Sequence, residues 1–474
     1  MAKDLRTFLR DWNKRYPDDI VRVKKKVKPN YEIPAIQLAL EEESKFPGLI
    51  FEETENLYGQ RSRFPVITNL FASRLRCAES IGIHPRRVAV EYTGKESQLL
   101  EPVVVNKRAA PVKEVVVKGN QVDLFQFPVV THHEMDSAPF ITAGVVTTKD
   151  PDSGEYNLAL QRLEIKDKNR TGVWISPGSH NGHILRKYEQ AGKPMPCVVT
   201  VGHHPAFAMG AQSKIALDVG EHKVIGALLG EPLELIPSET WGEDFLVPAR
   251  AELVIEGLVP PGVREVEAPF GEFTRYYGAQ RYSSVLDVTA ITHRKDAYYH
   301  DILVSHADNL VMGGFALEAK IYRMVKEAVP SVLNVHLPLS GCCRFIAYVQ
   351  IRNELVGNSK DALALALPAN HVTKHAIVVD EDIDIFDDRE VLWAIATRSQ
   401  WDKDVVILSG MKGAELDPSI MDGDTAKGGI DATMPPPPTP YEKKVDLPAE
   451  VVKATDLKKL LGAQLLRKIT PETW

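Results

Sequence analysis

Hydrophobic residues recur at helical spacing close to the start of the chain. Leu5, Phe8, Leu9 and Trp12 follow one another at three- and four-residue steps, and Pro17 ends the pattern. This spacing predicts an amphipathic helix. Its polar face carries charges of both signs, so we expect the apolar face to pack on a protein core and not on a membrane surface.

Runs of β-branched residues dominate the middle of the chain. Such runs stand at 115–117, 198–201, 253–255 and 285–291, with Gly, Pro and Asp between them. Short strands at this spacing predict an antiparallel sheet or barrel. One helical pattern, over residues 181–191, interrupts them.

Helix and strand patterns alternate after this β-rich stretch. A helix is predicted near 316–329, where Pro330 ends it, and a strand at 376–380. Alternation of this kind indicates an α/β domain. The chain is therefore predicted to be an α+β protein with an N-terminal α/β region, a β-rich centre, a C-terminal α/β domain and a tail, at residues 1–113, 114–315, 316–434 and 435–474.

The tail begins with four prolines. Pro435–Pro438 predicts an extended spacer. Leu457, Leu460, Leu461 and Leu465 then lie on one stripe of a predicted amphipathic helix. Because such a stripe needs a surface to cover it, we expect it to dock on a partner subunit in a homo-oligomer, either a dimer or dimers assembled into a hexamer.

Composition narrows the class of protein. The chain has 474 residues, 44% of them hydrophobic, which is enough for two or three domains. The net charge of −7 and the lack of a basic block beyond Lys24–Lys26 argue against nucleic acid as a partner. The four cysteines have no metal-ligand spacing, and a reducing cytoplasm suits them. No run reaches membrane-spanning length, so we expect a cytoplasmic protein that does not bind a membrane.

A turn with the sequence Glu-Ala-Pro-Phe-Gly-Glu carries the first candidate chemistry. Neither a helix nor a strand places Glu267 and Glu272 on one face, but Pro269 and Gly271 break both periodicities. The resulting turn can bring the two carboxylates together. Close carboxylates repel, so one of them can keep a proton near neutral pH and act as a general acid. The alternative is a surface turn with two solvated glutamates.

A second set of polar residues precedes this turn. Asn157, His180 and Glu221 supply an amide oxygen, an imidazole and a carboxylate. Such a set suits Mn²⁺ or Mg²⁺ with coordination positions left open for phosphate or water. The alternative is that the three side chains lie apart, each as an ordinary polar residue.

Eight segments of the chain, in this order, resemble the UbiD family of reversible decarboxylases, which use prenylated FMN. The segments are residues 136–144, 157–162, 202–206, 246–257, 267–272, 341–345, 392–398 and 427–433. The resemblance implies that the β-rich centre is a split β-barrel that holds the flavin. It also implies a covalent adduct between substrate and cofactor, loss of CO₂ and protonation of the same carbon.

The resemblance assigns catalytic roles to three residues. Glu272 matches the proton donor of the family, and Glu267 and Arg162 complete a Glu-Arg-Glu network. An arginine beside two carboxylates favours the charge of the one that it pairs with. We expect Glu267 to be that partner and Glu272 to hold the proton.

The resemblance also assigns residues to the cofactor and its metal. Asn157, His180 and Glu221 match the ligands of a divalent cation, Mn²⁺ or Mg²⁺, that bridges the protein and the cofactor phosphate. Glu231 or Glu234 remains an alternative to Glu221, because the following segment is longer than is usual. Potassium often accompanies the site, and a flavin prenyltransferase of the UbiX type supplies the cofactor. The stretches that contact the cofactor include Leu160, Gln161, Arg162, Trp174, Ser179, His180 and Lys427, the lysine through the phosphate.

The substrate is the least determined part of the prediction. His306 is expected to hydrogen-bond a ring heteroatom or hydroxyl, with His300 as the alternative. The sequence near His306 has no arginine that could bind a second carboxylate, which argues against a dicarboxylic substrate. We therefore expect an aromatic or heteroaromatic monocarboxylic acid. The alternatives are decarboxylation of an α,β-unsaturated acid, an ordinary FMN oxidoreductase on a split barrel, and a subunit without catalysis. The sequence has no Gly-x-Gly-x-x-Gly run for a pyridine nucleotide, and a binding subunit has no use for an acid beside an arginine.

Overall fold

The protein is described here from a computed structural model that covers residues 2–216, 218–420, 423–462 and 464–465. It divides into two compact units, Met1–Thr433 and Met434–Trp474. The further division of the larger unit at residues 113 and 315 stays a prediction.

Helices and strands alternate along most of the chain. The α-helices are α1 Leu5–Arg15, α2 Glu32–Glu42, α3 Arg74–Ser80, α4 Val88–Glu96, α5 His180–Gln190, α6 Pro205–Gly210, α7 Glu221–Leu229, α8 Ala307–Ala328, α9 Asn358–Ala366, α10 Asp388–Arg398, α11 Ala449–Ala454 and α12 Leu457–Leu461. The strands are β1 Ile20–Val23, β2 Gly48–Phe51, β3 Val66–Thr68, β4 Val103–Val104, β5 Val115–Lys118, β6 Phe140–Ile141, β7 Gly144–Lys149, β8 Tyr156–Leu160, β9 Leu163–Asp167, β10 Arg170–Val173, β11 Met195–Val201, β12 Glu234–Ser238, β13 Gly242–Pro248, β14 Leu253–Val259, β15 Arg264–Glu267, β16 Phe270–Gly271, β17 Tyr277–Gly278, β18 Arg281–His293, β19 Tyr299–His300, β20 Val332–His336, β21 Ile346–Ile351, β22 His375–Asp380, β23 Val405–Lys412 and β24 Asp424–Ala432. The mixture confirms the predicted α+β class.

The N-terminal region joins helices to a small mixed sheet. Helix α1 begins after Asp4, whose carboxylate accepts from the Thr7 N–H at 2.8 Å while the Thr7 hydroxyl accepts from the Asp4 N–H at 2.8 Å. Such a reciprocal cap satisfies two otherwise unpaired donors. The sheet has the order β1-β2-β3-β19, so its last strand comes from much later in the chain.

The centre of the larger unit is an antiparallel sheet of ten strands. Eight follow the order β6-β9-β10-β18-β14-β11-β7-β8, and β15 and β5 pair with β18 as well. The predicted β-rich centre is therefore confirmed. Gly257 lies at a register shift between β14 and β18, where a Cβ atom would come within 2.5 Å of the backbone oxygen of Asp287. Only glycine allows the two strands to approach so closely.

The C-terminal region is a five-stranded sheet with helices against it. Its order is β20-β21-β22-β24-β23, with parallel pairs in the middle and antiparallel pairs at both ends. Helix α8 begins at Ala307, well before the predicted start at 316. Gly313 and Gly314 obscure the helical pattern in the sequence, and they are small because Arg344 and Cys343 pack against them.

The smaller unit contains two short helices, α11 and α12. Leu457, Leu460 and Leu461 are on α12 and are exposed, as is Leu465. The helix is shorter than the leucine stripe predicted, since Gly462 ends it. The proline spacer is not extended throughout, because the Thr439 N–H donates to the Pro436 oxygen at 3.2 Å and forms a turn. Among the described residues of both units, no helix is long and apolar enough to cross a bilayer.

Candidate active site

The structure brings Arg162, Glu267 and Glu272 into direct contact. Arg162 follows β8, Glu267 ends β15 and Glu272 follows β16. The Arg162 guanidinium donates from Nε to Oε1 of Glu267 at 2.7 Å, from Nη2 to Oε2 of Glu267 at 3.1 Å, and from Nη1 to Oε1 of Glu272. The turn between the two glutamates is therefore folded as the sequence predicted, and not spread over the surface.

Local backbone geometry explains how the turn reaches the arginine. Ala268 has a φ of 74°, which reverses the chain directly after Glu267. The Glu272 N–H then donates to the Tyr276 oxygen at 2.9 Å, and its own oxygen accepts from the Ser305 hydroxyl at 2.6 Å. Gly278 leaves room for the acid, since a Cβ there would lie 2.8 Å from Glu272 Oε1. The Glu272 backbone is thus fixed on both sides.

Burial and charge distinguish the two glutamates. Glu267 is 1% exposed and Glu272 is 6% exposed. Burial raises the pKa of Glu272, against the opposing effect of the Arg162 and Arg281 charges. Burial also disfavours the charge of Arg162, but the carboxylates of Glu272 and Glu267 outweigh it and raise the pKa of the guanidinium. Arg162 therefore stays charged, and Glu272 is suited to hold a proton.

A cavity of about 300 Å³ opens beside this trio, and we call it the Glu272 cavity. Leu160, Gln161 and Trp174, which the family resemblance placed near the cofactor, are in its wall. The Gln161 Oε1 atom is buried and has no hydrogen-bond partner, which is unusual unless a ligand supplies one. The rest of the wall mixes apolar and polar side chains: Phe270, Phe273 and Val304 on one hand, and Thr142, Ser176, Gln212, Asn309 and Arg344 on the other.

A second cavity, of about 420 Å³, adjoins the first and is strongly basic. The two cavities share Gln212, Phe273 and Arg344. Within the described residues, the wall of this basic cavity has no carboxylate, and its cations are Lys214, Lys320, Arg344, Lys412 and Lys427. Burial, together with the charges of Lys412, Lys214, Lys427 and Lys320, lowers the pKa of His371 in the same wall to about 4. An anion such as phosphate would bind well there.

Lys427 lines the basic cavity. It is 2% exposed, and its Nζ donates to the backbone oxygens of Leu367 at 2.8 Å and Asn370 at 2.6 Å. Burial lowers its pKa to about 8. A neighbouring anion would favour the charged lysine, which is consistent with the predicted phosphate contact.

The three predicted metal ligands belong to neighbouring segments. The Asn157 amide donates to Oδ1 of Asn181, the residue after His180. The Glu221 carboxylate accepts from the N–H of Leu158, the residue after Asn157, at 3.0 Å. Glu221 is 4% exposed, and burial raises its pKa to about 8. A bound divalent cation would lower the pKa of Glu221 again, because it favours the charged carboxylate.

The structure also separates Glu221 from its two alternatives. Glu231 accepts from the backbone N–H of Lys3, and Glu234 pairs with Arg250 at 2.6 Å. Both are therefore engaged away from Asn157. His180 is half-buried, and burial, with the charges of Lys214 and His183, lowers its pKa, which keeps the imidazole neutral and able to bind a cation. In the part of the chain that the structure describes, no three His, Cys, Asp or Glu side chains cluster as a metal site, so a centre with an Asn ligand stays a prediction.

Two predicted contacts are placed elsewhere. His306 is the N-cap residue of α8, with its Nδ1 3.5 Å from Oε2 of Glu41, and it is not in the wall of the Glu272 cavity. The Ser179 hydroxyl caps α5 by accepting from the Gly182 N–H at 3.1 Å, and Ser176 is in the cavity wall instead. Each of them is three positions from a residue that does line the cavity: His306 from Asn309 and Ser179 from Ser176. Sequence resemblance does not determine which of two such neighbours faces the cavity. His300 is buried, and burial lowers its pKa to about 4.

Sequence reasoning missed several residues that line the Glu272 cavity, Asn309 and Arg344 among them. Asn309 lies one turn into α8 and Arg344 follows the Cys342–Cys343 pair. Arg344 corrects the expectation that no arginine serves the substrate region. Arg344 stands in segment 341–345, which resembles the family, but no role was assigned to it from the sequence. In the structure, a Cβ at Gly313 would lie 2.0 Å from Arg344 Nη2.

Three family models match the chain in succession. They describe the N-terminal, Rift-related and C-terminal domains of 3-octaprenyl-4-hydroxybenzoate carboxy-lyase, at residues 14–93, 103–307 and 310–432. Anhydromevalonate phosphate decarboxylase of Methanothermobacter thermautotrophicus is 35% identical over 381 residues, 79% of this chain and 87% of that protein. Gallate decarboxylase of Lactiplantibacillus plantarum is 32% identical over 393 residues, 79% of each chain.

Solved structures show the same similarity over nearly the whole chain. The UbiD-class enzyme HmfF from Pelotomaculum thermopropionicum, in complex with FMN, is 37% identical with a TM-score of 0.89, over 97% of this chain and 100% of that one. An evolved dimeric form of the same enzyme, with prFMN, is 35% identical with a TM-score of 0.87 and the same coverage. The chain is an enzyme of the UbiD family of carboxy-lyases.

Proposed function

We propose that the enzyme is a prenylated-FMN-dependent, non-oxidative decarboxylase of an aromatic or heteroaromatic monocarboxylic acid, able to run in the carboxylating direction. One observation carries the proposal: Arg162, whose side chain is 10% exposed, joins two buried glutamates at the wall of a cavity that also has the aromatic side chains of Trp174, Phe270 and Phe273. A carboxylic acid kept protonated beside an arginine suits replacement of CO₂ by a proton.

Glu272 delivers the proton in this reaction. Loss of CO₂ leaves an electron pair on the substrate carbon, and the proton of the Glu272 carboxyl group forms the new C–H bond. Glu272 is then ionised and regains a proton from solvent before the next turnover. Arg162 stays charged throughout, and Glu267, which receives two of its hydrogen bonds, fixes its plane.

The two cavities fit the predicted cofactor. When bound, prenylated FMN supplies the electron sink that no side chain offers. The Glu272 cavity has flat walls at Trp174 and Phe270 and a buried amide oxygen at Gln161 for a ring system, and the basic cavity next to it suits the phosphate. Asn157, His180 and Glu221 would hold Mn²⁺ or Mg²⁺ beside that phosphate. The proposed cofactor site is supported by two similar solved structures, which contain FMN or prFMN.

The cavity wall supports a ring-shaped substrate. Phe270, Phe273 and Val304 offer apolar contact to a flat ring, and the Asn309 amide can donate to or accept from a ring heteroatom or hydroxyl. Relatives named for anhydromevalonate phosphate, gallate and phenolic acids show that family membership alone does not set the substrate.

Arg344 supports a second candidate substrate class. Its Nη1 donates to the Leu310 oxygen at 3.2 Å, its guanidinium lies over Phe273, and no carboxylate of the described residues pairs with it. A cation of this kind favours an acid with a second anionic group. Matched pairs of mono- and dicarboxylates on one ring separate the two classes.

A substrate screen tests the function. The protein is produced together with a flavin prenyltransferase, the flavin spectrum is recorded, and CO₂ release is measured with aromatic, heteroaromatic and α,β-unsaturated acids. We expect release from one or more aromatic or heteroaromatic acids, and none from protein that holds only FMN. CO₂ release from α,β-unsaturated acids alone would show that these acids are the substrate class instead. No CO₂ release from any acid by protein loaded with prenylated FMN would refute the proposal.

We also propose that the enzyme is a homo-oligomer that receives its cofactor from a flavin prenyltransferase of the UbiX type. The exposed leucines of α12 support the first part. An evolved dimeric form of HmfF, similar to this chain, supports assembly into an oligomer.

A further inference from the structure

Asp136 lies directly behind the turn that carries the catalytic glutamates. Its side chain is fully buried, with 0% exposure. Oδ1 accepts from the Gly271 N–H at 2.9 Å, the residue before Glu272. Oδ2 accepts from the N–H groups of His133 at 2.9 Å and His132 at 3.3 Å. One carboxylate thus joins the loop at 132–137 to the turn at 267–272.

Two further contacts hold the same turn. The Ser137 N–H donates to the Pro269 oxygen at 3.0 Å, and the Lys166 ammonium donates to the Val266 oxygen at 2.6 Å. Neither contact reaches the residue next to Glu272. Asp136 is therefore the member of this group that controls the end of the turn at which the acid stands.

Close packing prevents the turn from moving toward the loop. A Cβ at Gly271 would lie 2.3 Å from Nδ1 of His133. The His133 ring is in turn edge-on to Phe270, with 6.4 Å between centroids, and to Tyr277, with 6.3 Å. The hydrogen bond of Asp136 pulls the turn inward and the His133 ring stops it, so the position of Glu272 is defined from both directions.

Asp136 must be ionised to make these contacts. Burial alone would raise its pKa, but the His133 ring, with Nδ1 3.5 Å from Oδ2, and hydrogen bonds from the backbone N–H groups of Gly271 and His133 lower the pKa below its usual value. The two oxygens accept three backbone hydrogen bonds. Asparagine has the same shape but only one accepting oxygen, so it cannot accept all three of these hydrogen bonds.

We propose that Asp136 is a positioning residue for the acid: by holding Gly271 against the His133 loop, it sets the place of the Glu272 carboxyl group relative to Arg162 and to the substrate carbon. This rests on the proposed role of Glu272. The charged groups that face Glu272 are Arg162 from the end of β8, Glu267 from β15 and Arg281 from β18. A shift of about 1 Å changes the distance to all of them and can cost about 10²-fold in rate.

The main test is Asp136→Asn in cofactor-loaded enzyme. We expect kcat to fall by about 10- to 100-fold with little change in KM, because the acid is misplaced while the cavity remains. We also expect the alkaline limb of the kcat profile to move to lower pH. A loosened turn admits water to Glu272, which weakens the effect of burial and so lowers the pKa of the acid.

Asp4→Asn is the matched control. Asp4 is also buried, at 5% exposure, and accepts from a backbone N–H, that of Thr7, and from an arginine, Arg294, each at 2.8 Å. It caps α1 and has no contact with the turn. The control should lose a comparable amount of stability and keep the wild-type pH profile.

A second variant changes Gly271, the residue whose N–H donates to the Asp136 carboxylate. Gly271→Ala keeps Asp136 but drives the turn and the His133 ring apart, so it should move the alkaline limb in the same direction. If both turn variants keep the wild-type kcat and pH profile, or if Asp4→Asn changes them equally, the positioning role is refuted. A wild-type enzyme without CO₂ release would instead refute the proposed function.

Discussion

At the scale of single residues, the two glutamates are expected to differ in role although they bind one arginine. Glu267 receives the Nε and one Nη hydrogen bond of Arg162, whereas Glu272 receives one and faces the cavity. Burial raises the pKa of Glu272, so the protonated form extends to higher pH than for an exposed glutamate. Activity that depends on this proton is present below that pKa and is lost as pH rises through it.

Replacing the acid tests this assignment directly. Glu272→Gln should reduce CO₂ release and exchange of the product hydrogen with deuterium by about 10²- to 10⁴-fold, since amides do not donate a proton to carbon. The cofactor content should be unchanged. Glu265→Gln is the control and should keep its activity, because Glu265 is in β15 and pairs with Arg170. Near-normal deuterium exchange in Glu272→Gln would show that Glu272 is not the proton donor.

The predicted cation gives a second prediction at this scale. Glu221→Ala should abolish bound Mn²⁺ or Mg²⁺ and release the cofactor on gel filtration, because the phosphate loses its bridging charge. Metal analysis and the flavin spectrum of the eluted protein measure both. Glu231→Ala is the control, since Glu231 is engaged with the backbone of Lys3. If Glu221→Ala retains the metal, Glu221 is not a metal ligand. If Glu231→Ala loses the metal, Glu231 is the ligand instead.

The residues that sequence could and could not predict differ in a physical way. Glu267, Glu272 and Arg162 stand in short local motifs, and a turn brings two of them together whatever the rest of the fold does. Asn309 and Arg344 reach the Glu272 cavity only through the packing of α8 on the loop after β20. His306 could be proposed from the sequence as a substrate contact, and Asn309 could not be recognised, because the sequence does not show which face of α8 meets the cavity.

At the scale of elements, helix α8 connects the catalytic region to the C-terminal sheet. Its Glu318 is 0% exposed and accepts from both Nη atoms of Arg74 on α3, at 2.9 and 2.7 Å. It also contacts the His336 ring at 2.9 Å and accepts from the Leu337 N–H at 3.0 Å, at the end of β20. Three elements are thus joined by one carboxylate.

This carboxylate should make stability depend on pH. Burial opposes its charge, but Arg74 and His336 lower its pKa from 4.5 to about 2. A depressed pKa contributes stability that is present above the unfolded value and is lost as pH falls from about 4.5 toward about 2. Glu318→Gln should lower the free energy of unfolding at neutral pH by about 3 kcal/mol, because Arg74 is left without its partner.

Urea unfolding at neutral pH and at about pH 3 measures this contribution. The gap between wild type and Glu318→Gln should narrow at the lower pH. Glu381→Gln is a suitable control, since Glu381 pairs with Arg352 on the surface, where such pairs contribute about 1 kcal/mol at most. An equal gap at both pH values would show that the charge of Glu318 does not stabilise the fold.

At the scale of the whole molecule, the α+β class and the antiparallel centre were predictable, and the assembly of the sheets was not. Runs such as 198–201 and 285–291 mark strands in any context, so β11 and β18 were expected. The pairing of β19 with β3 joins residues more than two hundred positions apart and has no local signal. For the same reason the basic cavity, whose lysines come from distant segments, could be read only from the structure.

The tail gives the last prediction, which concerns assembly. Replacing Leu457, Leu460 and Leu461 by Glu in the full chain should lower the oligomeric state, because the exposed leucines of α12 would no longer bury apolar area on a partner. Light scattering after gel filtration measures the mass over a range of protein concentrations. The control replaces Lys458 and Lys459 of the same helix by Glu, which changes more charge but no apolar surface. We expect the leucine variant to show a smaller mass with an unchanged thermal midpoint of the larger unit, and an unchanged mass would place the subunit interface outside α12.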